Sequence, residues 1–580
     1  MKLRSRSRDE QSASASVGPD AYDERLAEAL VASRRLEPHQ VDAARSIDAG
    51  GSLAEQLIGS GVMTDEDLAH TLAAHYGVDE VDFRHTDPDA AAVALLPQEA
   101  AHALRALPIA IEDEHVVVAV VDPSPERRAE LASALGRSAR LVVATHADLE
   151  RALASEYKAT REVEGQIQAF EARDSLRREA DQLETAQVNE DAPVVQVVQM
   201  IITQGLRDRA SDIHIEPSGD RVRVRYRIDG ALADVLDLPG SIGPAIVSRV
   251  KILSGMNIVE RRRAQDGQIS MVVEGRDVDI RVASTAVVGG EKVVMRLLDK
   301  SRSLFRLEQL GMPSDTADRY SQLIHAPYGM VICAGPTGGG KTTTLYASLG
   351  ELNTPERNIM TIEDPVEYTF DSINQIQINE PAGVTFSGGL RSILRQDPDV
   401  ILVGEIRDVD TARIAVQSAL TGHLVLSSLH ATEAVSALYR LLDMGIESFL
   451  IASSVTAVVA QRLVRRSCTS CLEPYSPSPE ELAFLRRFGD PEVEVEQFLR
   501  GVGCHFCSHT GFLERIGVYE LLAVTDQVRE LIVDRAPHDE MRKLASSQGM
   551  RTLQEQAARL VRDGTTTAAE VMRSIYIAGV

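Results

Sequence analysis

The residues best suited to chemistry in this chain stand together at Gly335-Pro336-Thr337-Gly338-Gly339-Gly340-Lys341-Thr342, which repeats the G-x-x-x-x-G-K-[ST] spacing of a phosphate-binding loop. Glycines allow successive backbone N–H groups to turn inward as an anion nest, and the helix that follows adds the positive end of its dipole. Lys341 is placed to reach the β- and γ-phosphates, and Thr342 to hold Mg²⁺. A nucleoside triphosphate is therefore the first ligand to consider, taken as ATP, with Gly335 to Thr343 as its cradle. Three further polar positions each follow an apolar run: Glu363 with Asp364, Glu405, and His430. Carboxylates that orient water and hold Mg²⁺, with a polar donor for the γ-phosphate, make up the set that ATP hydrolysis requires.

Such residues work only if strands and helices bring them to one place. Met330-Val331-Ile332-Cys333-Ala334 reads as a short buried strand and Thr343 to Leu349 as the helix entered straight after the loop. Ile359 to Ile362, Val400 to Val403 and Leu424 to Leu429 are three more continuous apolar runs alternating with helical stretches, the pattern of a parallel sheet covered on both faces. Ligands of such sheets lie beyond the carboxyl ends of the strands, where Glu363, Glu405 and His430 fall. Gly404 stands where the Mg²⁺-binding Asp of a Walker B strand is expected, so Glu405 must serve the metal or the water. His423 precedes the strand that His430 follows. A regular strand separates them by roughly 20 Å, so His430 is favoured as the γ-phosphate contact and His423 as an interface or packing group.

At 580 residues the chain is too long for one core, and several domains are expected. Its 61 basic and 86 acidic residues leave a formal net charge of −25, which argues against a nucleic-acid-coating surface and against a DNA-transfer motor. Trp is absent, so base-stacking platforms are not expected. No apolar run approaches the roughly 18 residues of a membrane helix, and a cytoplasmic protein is expected. Residues 1–20 are polar and expected to be disordered. Leu26-Ala27-Glu28-Ala29-Leu30-Val31 recurs as Leu53-Ala54-Glu55-Gln56-Leu57-Ile58, suggesting two helical hairpins. Strands follow at Leu107 to Ile111 and His115 to Val121, so 21–160 reads as a small amino-terminal α/β module. A charged linker, 161–191, comes next. A helix from Pro193 to about Asp208 precedes Asp212 to Glu216 and Val222 to Ile228, whose alternation implies antiparallel strands with arginines on one face.

Cys468-Thr469-Ser470-Cys471 and Cys504-His505-Phe506-Cys507 can supply four thiolates to a tetrahedral Zn²⁺. Their separation exceeds a usual zinc-ribbon gap, so a helical insertion near Pro479 to Phe488 must loop out. A redox dithiol is the competing use. Cys333, inside the loop strand, reads as a core residue.

From about residue 193 onward the chain resembles the secretion ATPases of type II secretion and type IV pilus assembly. The motifs that carry the likeness are Ala210-Ser211-Asp212-Ile213-His214-Ile215-Glu216-Pro217, Arg225-Tyr226-Arg227-Ile228-Asp229-Gly230, Glu291 to Arg296, the phosphate loop, Thr361 to Tyr368, Asp397 to Asp408, and Thr421 to His430. The resemblance implies an α/β protein in which a RecA-like P-loop core (306–580, with the tetracysteine element at 466–510) follows a PAS-like α+β domain (192–305). It implies a homohexamer powering pilin polymerisation at an inner-membrane platform protein. Pseudopilus assembly in type II secretion is the alternative, and a nucleotide-binding regulatory switch a lesser one. By that likeness Glu363 is the water-activating base and Glu405 the Mg²⁺-side carboxylate, with the two roles exchangeable. Arg225 and Arg227, and more weakly Arg281 and Arg296, match arginines that approach the phosphates. The tetracysteine element occurs in assembly and secretion members of the family and is lacking in retraction members. The amino-terminal repeat resembles a module that binds cyclic di-GMP through R-L-G-x-x-L-x-x-x-G elements. Ala27 and Ala54 replace the first glycine and Arg34 the second in copy one, while Gly61 survives in copy two. These departures speak against cyclic di-GMP and for docking to a membrane-associated partner.

Overall fold

The computed structural model describes residues 19–33, 35–45, 52–60, 62–113, 115–157, 193–299, 306–489 and 498–575. The linker expected at 161–191 lies outside them, as do Arg34 and Gly61. So does the stretch expected to be disordered, except Pro19 and Asp20, which open a helix. By their contacts the residues form two compact units, one of 1–161 with Cys504–His509 and one of 162–503 with 510–580.

In the first unit, helices Pro19–Ala32, Pro38–Arg45, Leu53–Gly59 and Asp65–Tyr76 bury Leu26, Leu30, Leu53, Leu57 and Leu68 in one cluster. The repeated Leu-Ala-Glu segments therefore supply equivalent apolar stripes. A three-stranded sheet follows, made of β1 (Ala106–Glu112), β2 (His115–Val120) and β3 (Ser138–Val143), with β1 antiparallel and β3 parallel to β2. Strand β3 and helix His146–Glu156 add to the two strands expected here; Ser138 to Val143 has only three consecutive large apolar residues, Leu141 to Val143, too short a run to stand out in the sequence.

The second unit opens with helix Pro193–Arg207 and a six-stranded antiparallel sheet. Its strands are β4 (Asp212–Ser218), β5 (Arg221–Ile228), β6 (Ala231–Pro239), β7 (Gln265–Val273), β8 (Arg276–Val287) and β9 (Gly290–Asp299), ordered β6-β5-β4-β9-β8-β7. Alternation in β5 buries Val222, Val224 and Tyr226 and turns Arg221, Arg223, Arg225 and Arg227 to the other face.

The phosphate loop belongs to a seven-stranded sheet. It contains β10 (Gly329–Ala334), β11 (Ile359–Glu363), β12 (Asn374–Gln377), β13 (Val400–Val403), β14 (Leu424–Leu429), β15 (Val455–Ser467) and, after the short ribbon β16 (Leu472–Pro474) and β17 (Leu499–Gly501), β18 (Phe512–Ala523). The order is β12-β11-β13-β14-β10-β15-β18, parallel except for the antiparallel pair β15 and β18. Met330, Ile332 and Ala334 enter one hydrophobic cluster, while Val331 and Cys333 enter another on the opposite face. Apolar residues at every position of β10 are thus explained by two covered faces.

Candidate active site

The loop between β10 and helix Lys341–Leu352 is shaped by its glycines. Gly338 and Gly340 take left-handed backbone with φ of 74° and 86°, which a side chain would strain. A Cβ on Gly340 would stand 2.5 Å from Gln461 Nε2, and one on Gly335 would stand 2.7 Å from the Gln461 carbonyl oxygen. Glycine is required at both for β15 to lie against the loop. Lys341 Nζ donates to the carbonyl oxygens of Gly335 at 3.0 Å and Pro336 at 2.9 Å. Burial lowers the pKa of its ammonium, against the opposing influence of Cys333 and Glu405. Thr342 and Thr343 are exposed at the helix start, as are Pro336, Thr337 and Gly338, while Gly339 is buried beneath them. The loop therefore carries backbone donors, the Lys341 cation and exposed threonine hydroxyls, the donor set that a triphosphate with its Mg²⁺ needs.

Parallel register places the other polar groups. Ala334 pairs with Leu429, so His430 leaves β14 at the level where Gly335 leaves β10. Glu405 Oε1 accepts from Arg407 Nη2 at 2.6 Å, and its Oε2 lies 3.5 Å from His430 Nε2. Since β13, β14 and β10 are neighbouring parallel strands, Glu405, His430 and the loop bearing Lys341 all follow strand ends at the same edge of the sheet. His423 stands at the opposite end of β14, its Nδ1 3.0 Å from the Ser418 carbonyl.

Glu363 ends β11 and is 3% exposed. Its Oε1 accepts from Thr361 Oγ1 at 2.5 Å and Gln375 Nε2 at 3.1 Å, and its Oε2 accepts from the Tyr346 hydroxyl. Gly404 explains how β13 can end so close by. Its N–H donates to the Ile362 carbonyl at 2.8 Å, and a Cβ there would lie 3.3 Å from Glu363 Cα.

Of the arginines expected near phosphate, Arg225, Arg227 and Arg296 are engaged within their own sheet, and Arg281 outside it. Arg225 Nη2 pairs with Glu216 at 2.7 Å, as does Lys292 Nζ. Burial would raise the Glu216 carboxyl, yet hydrogen bonds from Arg225 and Lys292 outweigh it and hold the group at about 2. Arg227 lies 3.6 Å and Arg296 3.0 Å from Asp212. Arg281 meets Glu367 at 2.8 Å.

Antiparallel pairing of β16 with β17 brings the two cysteine pairs together. Ligand atoms of Cys468, Cys471, Cys504 and Cys507 lie within 4.8 Å of one another, and Cys504 and Cys507 sulfurs are 3.8 Å apart. A tetrahedron with Zn–S bonds of about 2.3 Å has an edge of roughly 3.8 Å, so the cluster could hold zinc. Helix Pro479–Phe488 falls in the gap, where the spacing asks for an insertion.

Two residues of the site escaped the sequence. Gln461, 1% exposed on β15, accepts from Thr344 Oγ1 at 2.8 Å and takes Cys333 Sγ at 3.5 Å. Arg462 beside it donates to the Thr432 carbonyl at 3.0 Å, burial lowers its pKa, and its charge acts on Lys341. The available signal was a polar pair interrupting the apolar run Val455 to Val464.

A family model described as "Type II/IV secretion system protein" matches residues 187–573, and one for the MshEN domain matches 76–163. The chain is 38% identical to Type II secretion system protein E of Xanthomonas campestris pv. campestris, over 95% of this chain and 98% of that one. It is 36% identical to the type IV pilus assembly ATPase PilB of Myxococcus xanthus, over 94% of this chain and 98% of the other. Among solved structures, the ATPase DotB of Yersinia pseudotuberculosis shares the fold, with a TM-score of 0.50 and 19% identity, covering 68% of this chain and 95% of that one. With its phosphate loop, strand-end carboxylates and matched length, the chain belongs to the type II/IV secretion system protein family.

Proposed function

We propose that this chain is an ATP hydrolase that powers pilin polymerisation in type IV pilus assembly. The observation that carries it is the convergence of Lys341, Glu405 and His430 at the carboxyl ends of β10, β13 and β14, with Glu363 on the adjoining β11. Gly335 to Thr343 hold the triphosphate, and Lys341 draws charge from the β- and γ-phosphates. Glu363 accepts the proton of the attacking water. His430, beside Glu405, contacts the γ-phosphate. Thr342 and Glu405 would hold Mg²⁺, which would supply charge neutralisation at the phosphate oxygens. Arg225 and Arg227 exchange their carboxylate partners for a phosphate of a neighbouring subunit in a homohexamer. Cys468, Cys471, Cys504 and Cys507 would hold Zn²⁺, which would staple the ribbon of β16 and β17.

Pseudopilus assembly in type II secretion is the second reading, supported by the length of the match to the Xanthomonas relative. Among the described residues no helix is long and apolar enough to cross a membrane. In this reading the motor sits peripherally at the cytoplasmic face, on an inner-membrane platform protein and a docking partner. Cyclic di-GMP is disfavoured because Arg25, which opens the first repeat element, is engaged by Asp122. The test is deletion of the gene with complementation. Loss of surface pili, restored by the wild type and not by Lys341→Ala, is expected. Intact pili with lost protein export would move the assignment to type II secretion, and neither defect would overturn both.

A further inference from the structure

The hydrogen bonds around Glu363 continue outward into the antiparallel sheet. The Tyr346 hydroxyl donates to Glu363 Oε2 and accepts from the backbone N–H of Glu367 at 3.2 Å. Glu367 in turn holds Arg281 of β8 through two contacts, Nη2 to Oε2 at 2.8 Å and Nη1 to Oε1 at 3.4 Å. Paired contacts of this kind fix geometry as well as charge. The Tyr346 ring is 2% exposed and packs edge-on against Tyr368 and Phe370, with centroids 6.2 and 5.4 Å away. Gln375 ties the same segment in, donating to Glu363 Oε1 and to the Tyr368 carbonyl at 3.0 Å. Burial and the adjacent Glu363 both raise the Tyr346 pKa, which keeps its proton on the phenol.

From this we infer that Tyr346 is a positioning residue for Glu363, and that the Arg281–Glu367 pair sets Tyr346 in place, coupling ATP turnover to engagement of the antiparallel sheet. A phenol that accepts from Glu367 has its remaining hydrogen directed at the carboxylate. Removing Arg281 frees Glu367 and the segment up to Phe370, and with them one of the three donors that fix Glu363. The loop around Lys341 shares none of these bonds, so nucleotide binding is independent of the relay.

The inference rests on Glu363 acting as the base. Steady-state ATP hydrolysis by the full chain separates the two. Glu363→Gln must abolish turnover, and retention would remove the base assignment itself. With that loss in hand, Tyr346→Phe is expected to lower kcat about tenfold, the size of one lost hydrogen bond, with KM for ATP changed less than about twofold. Arg281→Gln is expected to lower kcat similarly, and the double variant Arg281→Gln with Tyr346→Phe to be no slower than Tyr346→Phe alone. Exchanging the charges, Arg281→Glu with Glu367→Arg, is expected to recover turnover lost in either single reversal. Multiplicative losses in the double variant, or no recovery on exchange, would overturn the relay. Should Tyr346→Phe fail to fold, the charge exchange alone decides.

Discussion

At the scale of single residues, the loop depends on a side chain with no place in its motif, that of Gln461. Gln461 accepts from the buried Thr344 hydroxyl, and its backbone seats Gly335. Gln461→Ala is expected to cost about 1–3 kcal/mol by leaving that donor unsatisfied, measured by denaturant unfolding, and to raise KM for ATP as the loop loosens. Gly404→Ala should crowd the backbone of β11 beside Glu363. A cost of about 1 kcal/mol or more is expected, with kcat falling more than affinity, read from steady-state kinetics. The phosphate loop itself was legible because its signal is local: glycines, lysine and threonine at fixed offsets. Gln461 was not, since its meaning comes from contacts with Cys333 and Thr344, more than a hundred residues away along the chain. The arginines of β5 were legible as a row on one strand face, whereas their carboxylate partners Glu216 and Asp212 emerge only when β4 pairs with β5.

At the scale of elements, β10, β11, β13 and β14 could be read from uninterrupted apolar runs because both sheet faces are covered. The antiparallel pair of β15 with β18 could not, as its register is set by segments separated by the cysteine-bearing insertion. An electrostatic contact ties β15 to a later helix. Glu570 at helix Ala568–Ser574 receives Arg465 of β15 at 2.7 Å and Arg573. Burial alone would raise this carboxyl, but hydrogen bonds from Arg573 and Arg465 overcome it and hold it at about 2. A folded-state value below the ordinary one contributes stability above about pH 4.5 that is lost as pH falls toward 2. Glu570→Gln should therefore cost about 3 kcal/mol near neutral pH, and the gap from wild type should close between pH 4.5 and 2 in thermal unfolding. For the cysteine ribbon, metal analysis of freshly purified protein should find one zinc per chain, lost in Cys468→Ser. Absence of zinc from the wild type would refute the site.

At the scale of the whole molecule, the arginine row and the phosphate loop are carried by different sheets. Within one subunit Arg225 is bound to Glu216. If these arginines act on a neighbouring subunit's nucleotide, Arg225→Gln and Lys341→Ala proteins, each inactive alone, should regain part of their turnover when mixed and reassembled. No recovery, with mixed hexamers verified by mass, would confine Arg225 to its ion pair. Turnover per subunit should also rise with protein concentration as rings form.

All of this depends on the chain hydrolysing ATP at the loop between β10 and helix Lys341–Leu352. The most direct measurement is phosphate release from MgATP by purified wild type, Lys341→Ala and Glu363→Gln at concentrations that support assembly. Sustained release by the wild type is expected, with both variants at least about a thousandfold slower and Glu363→Gln still binding ATP. Equal release by the wild type and both variants would contradict hydrolysis at that loop.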